Sequence, residues 1–217
     1  MTDFATRRRM MVDTQVRPSD VTEFPIIDAM LTIPREAFVP RDRIEAAYVS
    51  GDVELGGGRV LLDPRLFAKM LDALNLTNND LVLDVGAGLG YSSAVIARIA
   101  EAVVSVEEDE AMVAEAQALL SEHHADNVMQ HTGPLTAGAA EHGPYDAIII
   151  EGGVEVLPET LEAQLKEGGR IAVIFMEKAL GTVRIGHKLD GRITWRSAFN
   201  GTAPVISGFE KEAEFAL

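Results

Sequence analysis

The sequence contains no cysteine, which excludes disulfides, thiolate metal sites and a cysteine nucleophile. Positive charge is also scarce: 19 Lys and Arg stand against 34 Asp and Glu, a net charge of −15. A surface with that excess repels polyanions, so neither nucleic acid nor anionic lipid is the expected partner. The local basic group Arg7, Arg8, Arg9 and Arg17 is the exception. Long apolar runs are missing as well. Stretches such as Ile171 to Met176 are too short to span a bilayer, and Met10 to Val12 meets Asp13 too soon to form the core of a signal peptide. A cytoplasmic location is the expectation. What remains is an ordinary globular composition, 47% hydrophobic and 24% charged over 217 residues, with enough apolar mass to form a core. Internal repeats and low-complexity tracts are absent, and a single domain over 1–217 is expected.

From Leu81 onward, short apolar runs alternate with helical periodicity. Strands are expected at Leu81–Val85, Ala102–Val106, Asn127–Gln130, Tyr145–Ile150 and Arg170–Phe175. Between them, helices are predicted over Tyr91–Ala100, from Asp109 with Met112, Ala116 and Leu119 on one face, and over Glu159–Leu165. This order implies a parallel sheet with helices on both faces. The runs Thr182–Lys188 and Arg192–Phe199 flank Leu189-Asp190-Gly191, the signature of a hairpin that closes the sheet with antiparallel strands. Residues 78–217 are thus expected to form an α/β sheet with helices on both faces.

Residues 1–77 read as a helical cap. Asp20-Val21-Thr22-Glu23 resembles a capping box before a helix that carries Phe24, Ile27 and Leu31. Pro34 and Pro40 bracket a turn. Asp63-Pro64 opens a second helix with the stripe Phe67, Met70, Leu71 and Leu74.

The strongest chemical signal is Asp84-Val85-Gly86-Ala87-Gly88-Leu89-Gly90 at a strand-to-helix junction. Ligands of open α/β sheets bind beyond the carboxyl ends of the strands, and glycines there permit close backbone approach. A dinucleotide fingerprint would read G-x-G-x-x-G. Here the spacing is G-x-G-x-G with a carboxylate two residues before it. Asp84 would repel a pyrophosphate and attract an ammonium group. S-adenosylmethionine carries an ammonium and a sulfonium but no phosphate, so the charge pattern selects it. Glu107, at the end of the second strand and near the offset of about 20 residues used by ribose-binding carboxylates, is placed on the ribose hydroxyls, with Glu108 as the fallback. Tyr91 and Ser92, at the start of the helix, are within reach of the cofactor's carboxylate end.

The sequence resembles the protein-L-isoaspartate O-methyltransferase family, Rossmann-like S-adenosylmethionine-dependent methyltransferases. The likeness runs through Ala29-Met30, Pro34-Arg35-Glu36-Ala37-Phe38-Val39-Pro40, Ala47-Tyr48, Val82 to Tyr91, Tyr145-Asp146-Ala147-Ile148-Ile149, Gln164-Leu165 and Glu167-Gly168-Gly169. It implies methyl esterification of the isoaspartyl carboxylate in damaged proteins. A carboxylate is already anionic at neutral pH, so alignment with the sulfonium methyl matters more than acid–base help.

The same resemblance marks departures. The family's substrate loop runs approximately Gly-Gln-Thr-Ile-Ser-Gln-Pro, and here reads Gly58-Arg59-Val60-Leu61-Leu62-Asp63-Pro64. Leu62 stands at the serine position and Val60 at the threonine position. Glu151-Gly152-Gly153 replaces Thr-Ala-Ala, and Gly133-Pro134 replaces a Gly-Asp that lies near adenine. Gly133 and Leu135 are thereby placed at the adenine. The candidate substrate residues are Arg59, Val60, Leu62, Asp63 and Glu151, with Arg59 able to pair with the acceptor carboxylate. Three of them have an ordinary structural explanation too: Asp63 as an N-cap, Glu151 as a solvated loop residue, Leu62 as apolar packing. Trp195 reads as core. His123, His124, His131, His142 and His187 show no ligand spacing, so no metal is expected.

Three functions follow: the isoaspartyl activity, transfer to a neutral or cationic acceptor with Glu151 or Asp63 as base or attractor, and cofactor binding without transfer.

Overall fold

The computed structural model describes residues 3–211. A seven-stranded sheet of order β5-β4-β3-β6-β7-β8-β9 forms its centre. The strands are β3 (Leu81–Val85), β4 (Ala102–Glu107), β5 (Val128–Thr132), β6 (Tyr145–Val154), β7 (Leu165–Glu177), β8 (Leu180–Leu189) and β9 (Arg192–Asn200). From β5 to β7 all neighbours are parallel, whereas β8 and β9 are antiparallel. The expected closing hairpin is present, with Asp190 (φ 52°) and Gly191 (φ 72°) supplying the two left-handed residues of its turn.

The chain runs outward from β3 through β4 to β5, then returns so that β6 lies on the other side of β3. That reversal leaves a crevice beyond the carboxyl ends of β3, β4 and β6, the place where such sheets bind ligands. Helices α4 (Tyr91–Ala97) and α5 (Glu110–Glu122) connect the first strands, and α6 (Glu159–Ala163) precedes β7. Asp109 caps α5, accepting from the Ala111 and Met112 amides. The buried face of α5 is Met112, Ala116 and Leu120 rather than Leu119. Helix α4 stops at Ala97, short of the expected Ala100.

Buried side chains separate into two clusters, one on each sheet face. One joins Val82, Ala147, Ile149 and Ala172 to α4 and the N-terminal cap. The other joins Leu83, Val85, Ile148 and Ile150 to Leu135, Leu161, Ile206 and Phe209. Covering on both faces explains why these strands read as continuous apolar runs.

The cap departs furthest from expectation. Helix α1 (Phe4–Met11) continues through a wider turn over Val12–Val16, α2 spans Phe24–Thr32 and α3 spans Pro64–Leu74. Asp20 makes no capping box. It adopts a left-handed conformation (φ 65°) after a short helical turn, and Glu23, the cap residue of α2, makes no side-chain bond. Pro25 presets the first turn of α2 instead. Ile26, Ile27, Ala29 and Met30 face inward, whereas Phe24 is 76% exposed. The cap is also not purely helical. Strands β1 (Val53–Gly56) and β2 (Arg59–Leu61) form a separate hairpin, turning through Gly56, Gly57 and Gly58, all at positive φ. Among the described residues no helix is long and apolar enough to cross a membrane.

Candidate active site

The loop between β3 and α4 takes its path from glycine. Gly86, Gly88 and Gly90 have φ of 80°, 55° and 91°, values at which a side chain is strained. Two carboxylate positions flank this loop on neighbouring strands.

The first is Asp84, whose side chain is fully buried. Its Oδ2 accepts from Ser92 Oγ at 2.7 Å and Ser93 Oγ at 2.6 Å, while Oδ1 has no partner. Burial pushes this carboxyl up to about 6, with the two serine hydroxyls pulling it down and Glu107 adding to the rise. In the sheet register Asp84 lies opposite Ile149. Glu151, two residues on from Ile149, therefore projects from the same face of β6. It too is buried, with Oε1 unpartnered. Burial and then the nearby Asp84 push it well above the usual carboxylate range, opposed by the charge of Arg35. Glu151 is therefore not a solvated loop residue.

The second position is Glu107, the last residue of β4, also fully buried. Its Oε1 accepts from Arg59 Nη2 (3.0 Å) and from the amides of Glu108 (2.8 Å) and Asp109 (3.2 Å). Its Oε2 accepts from Arg59 Nε (2.9 Å) and the Gly88 amide (3.1 Å). Glu108, 41% exposed at its side chain, takes a further bond from Arg59 Nη2 at 2.8 Å. Arg59, placed at the acceptor by sequence, is instead engaged by Glu107 and Glu108.

The other sequence candidates fall as follows. Val60 and Leu62 are buried in the apolar cluster of the cap, and the Leu62 carbonyl accepts from Arg35 Nη2 at 2.7 Å. Asp63 caps α3 through the Arg65 and Leu66 amides and also accepts from the Gly51 amide at 2.7 Å. Tyr91 is buried between Phe38 and Phe67, with the Arg35 guanidinium 5.0 Å from its ring centre. Ser92 is occupied by Asp84. Ala87 is buried in the glycine loop. The Gly133 amide donates to the Glu107 carbonyl, and Leu135 packs 3.6 Å from where a Cβ on Gly86 would sit. Gly152 has a packing reason for lacking a side chain, since an added Cβ would stand 2.4 Å from Ile206. Trp195 packs edge-on against Phe175.

Two features escaped the sequence reading. Arg35 is fully buried within the cap and also donates from Nε to the Ala47 carbonyl at 2.7 Å. An arginine among apolar residues between Pro34 and Pro40 was the available signal. His131 and His142 meet at Glu141, with His131 Nδ1 and His142 Nε2 at 3.5 and 3.3 Å from its Oε1. Their separation in sequence, and the exposure of Glu141, hid this grouping.

A model of the protein-L-isoaspartate(D-aspartate) O-methyltransferase family matches residues 7–197. The chain belongs to that family. It is 34% identical to the protein-L-isoaspartate O-methyltransferase of Roseiflexus sp. (strain RS-1), over 98% of this chain and 97% of that one. It is 37% identical to that of Pelotomaculum thermopropionicum, over 77% and 73% of the two chains. Among solved structures, a protein-L-isoaspartate O-methyltransferase superposes with a TM-score of 0.82 at 27% identity, covering 93% of this chain and 66% of that one. A Plasmodium falciparum structure, solved with S-adenosyl-L-homocysteine, superposes at 0.78 with 18% identity over 94% and 98% of the chains, and shows the shared fold. The architecture is thus the α/β methyltransferase fold of the protein-L-isoaspartate O-methyltransferases.

Proposed function

We propose that this protein is an S-adenosylmethionine-dependent methyltransferase that esterifies isoaspartyl carboxylates in proteins. The observation that carries the reading is the convergence of Asp84, Glu107 and a loop of left-handed glycines at the carboxyl ends of adjacent strands, in a chain matched over most of its length by the protein-L-isoaspartate(D-aspartate) O-methyltransferase family. The residues fit the cofactor at one end without change. Asp84 Oδ1 is a buried acceptor with no donor, as an ammonium requires. At the other end Glu107 is the residue to take the ribose hydroxyls. When bound, the cofactor supplies an electrophilic methyl on a sulfonium.

This chain's own residues would then bind and orient. Asp84, one oxygen of which has no donor, is the acceptor for the cationic cofactor, and Ser92 and Ser93 hold its carboxylate in place; Glu151, on the same face, is pushed toward the neutral form by burial. Arg35, fixed by the Ala47 and Leu62 carbonyls, is the buried cation on the acceptor side. The acceptor needs no base, because its carboxylate is already ionised. With the cofactor bound, its methyl would pass to a carboxylate oxygen of the acceptor and the bonding pair would remain on sulfur.

One set of observations favours a second reading, transfer to a neutral or cationic acceptor. Val60 and Leu62 offer no hydroxyl to an acceptor carboxylate, and Glu151 adds a buried carboxylate that such an anion would meet. A cavity of about 520 Å³ beside α3 and β8 is lined by Asp52 and Asp63, with Arg65 as its cation. The deciding experiment combines methyl-labelled S-adenosylmethionine with paired peptides that contain isoaspartate or aspartate. Base-labile label on the isoaspartyl peptide alone supports the first reading. Cofactor binding with label only on amine or hydroxyl acceptors from an extract selects the second.

A further inference from the structure

The carboxylate that should receive the ribose has no capacity left. A carboxylate offers about four lone-pair directions, and Glu107 already accepts five hydrogen bonds, two from Arg59 and three from backbone amides. The three amides belong to the end of β4 and to the glycine loop, so they cannot leave while the strand end is intact. The two guanidinium bonds come from a separate hairpin and can.

We propose that Arg59 is an internal occupant of the ribose subsite, a latch carried on the β1–β2 hairpin that the cofactor must displace, so that Arg59 sets cofactor affinity. The proposal rests on the cofactor reading above and concerns control of the same site. The hairpin is seated for this role. Leu55 Cδ1 lies 2.7 Å from where a Cβ on Gly88 would stand, so β1 covers the glycine loop directly. At the turn, a Cβ on Gly57 would stand 3.5 Å from Met112 and 3.7 Å from Asp109. The hairpin therefore bridges from the loop to the start of α5. Its strands have four and three residues, and a two-stranded hairpin of that size is marginal on its own. Its glycine-rich turn is the kind of segment that can hinge.

Release does not strand a bare charge. Arg59 Nη2 already touches Glu108, whose side chain is 41% exposed. A rotation outward leaves that ion pair intact while removing two of the five hydrogen bonds that Glu107 accepts, so that acceptor capacity returns to it. The closed and open forms thus differ in which carboxylate holds the guanidinium. A ligand that binds only the open form has its affinity reduced by the fraction of molecules that are open.

The test measures S-adenosylhomocysteine binding by calorimetry to the full chain and to Arg59→Gln and Arg59→Lys, with amide hydrogen exchange of residues 53–61 as a second readout. The expected result is that Arg59→Gln binds about tenfold tighter or better, that Arg59→Lys falls between, and that hairpin amides exchange faster in both unliganded variants. Arg59→Lys keeps a charge near Glu107 and guards against a folding failure of the glutamine variant. Equal or weaker binding by both variants, with the parent chain binding well, overturns the latch and leaves the cofactor reading standing. No binding by any of the three, with native melting curves, overturns both.

Discussion

Two acidic positions flank one glycine loop and are in opposite states. Asp84 and Glu151 are buried with an oxygen each unpartnered, and both are pushed toward the protonated form. Glu107 is equally buried yet receives five hydrogen bonds, including a bidentate pair with Arg59. Burial alone therefore does not set the character of a carboxylate in this crevice. The difference is made by what the cap delivers: β2 brings the Arg59 guanidinium into direct contact with Glu107, whereas Arg35 acts on Glu151 only through its charge, and Asp84 Oδ1 and Glu151 Oε1 accept no bond. The unpartnered end keeps an acceptor for a cationic ligand, whereas the saturated end has none to spare while Arg59 is in place.

The largest effect should come from breaking the saturated end. Glu107→Ala leaves Arg59, only 2% exposed at its side chain, with the Glu108 carboxylate and a long bond to the Gly57 carbonyl. Removing one partner of a buried ion pair costs about 3–5 kcal/mol, which denaturant midpoints would register. A loss under about 1 kcal/mol would mean that Arg59 escapes to solvent freely, and the contrast between the two ends would fail.

Next in size is the wall above the unpartnered end. Leu62→Ser puts a hydroxyl into an apolar cluster and removes most of a side chain that is 1% exposed. A cost of about 2–4 kcal/mol is expected from cavity and polar burial together, read as a fall in melting temperature. If the isoaspartyl reading holds, the surviving folded protein should methylate isoaspartyl peptide faster. Unchanged stability would mean that Leu62 does not close this wall.

The third prediction concerns pH. Asp84 is raised from its ordinary 3.8 to about 6, so the folded state holds a proton that the unfolded state has lost. The stability this gives is present at low pH and is lost as pH rises from about 4 through 6. Two units correspond to roughly 3 kcal/mol. Asp84→Asn should flatten that part of the stability profile, while the pair of Asp146 and Lys166, which shifts the other way, remains in both proteins and cancels in the difference. Parallel profiles for the two proteins would show that Asp84 is ionised throughout. Binding of a cation at this end should also expel the proton, so cofactor affinity should rise with pH across the same window.

How much of this was readable in advance follows from the range of each interaction. The β3–loop–α4–β4 unit was legible because its signals are local: an apolar run, glycines where φ is positive, and a carboxylate at a fixed offset. The β8–β9 hairpin was legible through Asp190-Gly191 for the same reason. The Asp20–Glu23 pattern misled because Pro25 and a left-handed Asp20 decide the entry to α2. The β1–β2 hairpin has strands too short for a period, and its glycines read only as a loop. The least legible fact was the partner of Arg59. Arg59 and Glu107 lie 48 residues apart in sequence, and nothing local says which acid a distant arginine will meet. Charge alone pointed Arg59 toward the acceptor carboxylate, whereas tertiary packing pairs it with Glu107 and Glu108.

The smallest predicted effect is also the sharpest probe of the unpartnered end. Ser93 is fully buried and its hydroxyl donates to Asp84 Oδ2 at 2.6 Å. Ser93→Ala keeps the shape and removes one of the two donors that favour the ionised form. A hydrogen bond to an ionised group contributes about 1.5–3 kcal/mol and one between neutral groups about 1 kcal/mol. The substitution should therefore destabilise the protein by about 1 kcal/mol more at pH 8 than at pH 5. Ser92, which donates to the same oxygen at 2.7 Å, limits the loss. At Glu107, by contrast, three backbone amides and a guanidinium already occupy both oxygens. A loss that is the same at both pH values would mean that Asp84 keeps one protonation state across the range, and that its unpartnered oxygen, not a shared proton, is what a cation would find.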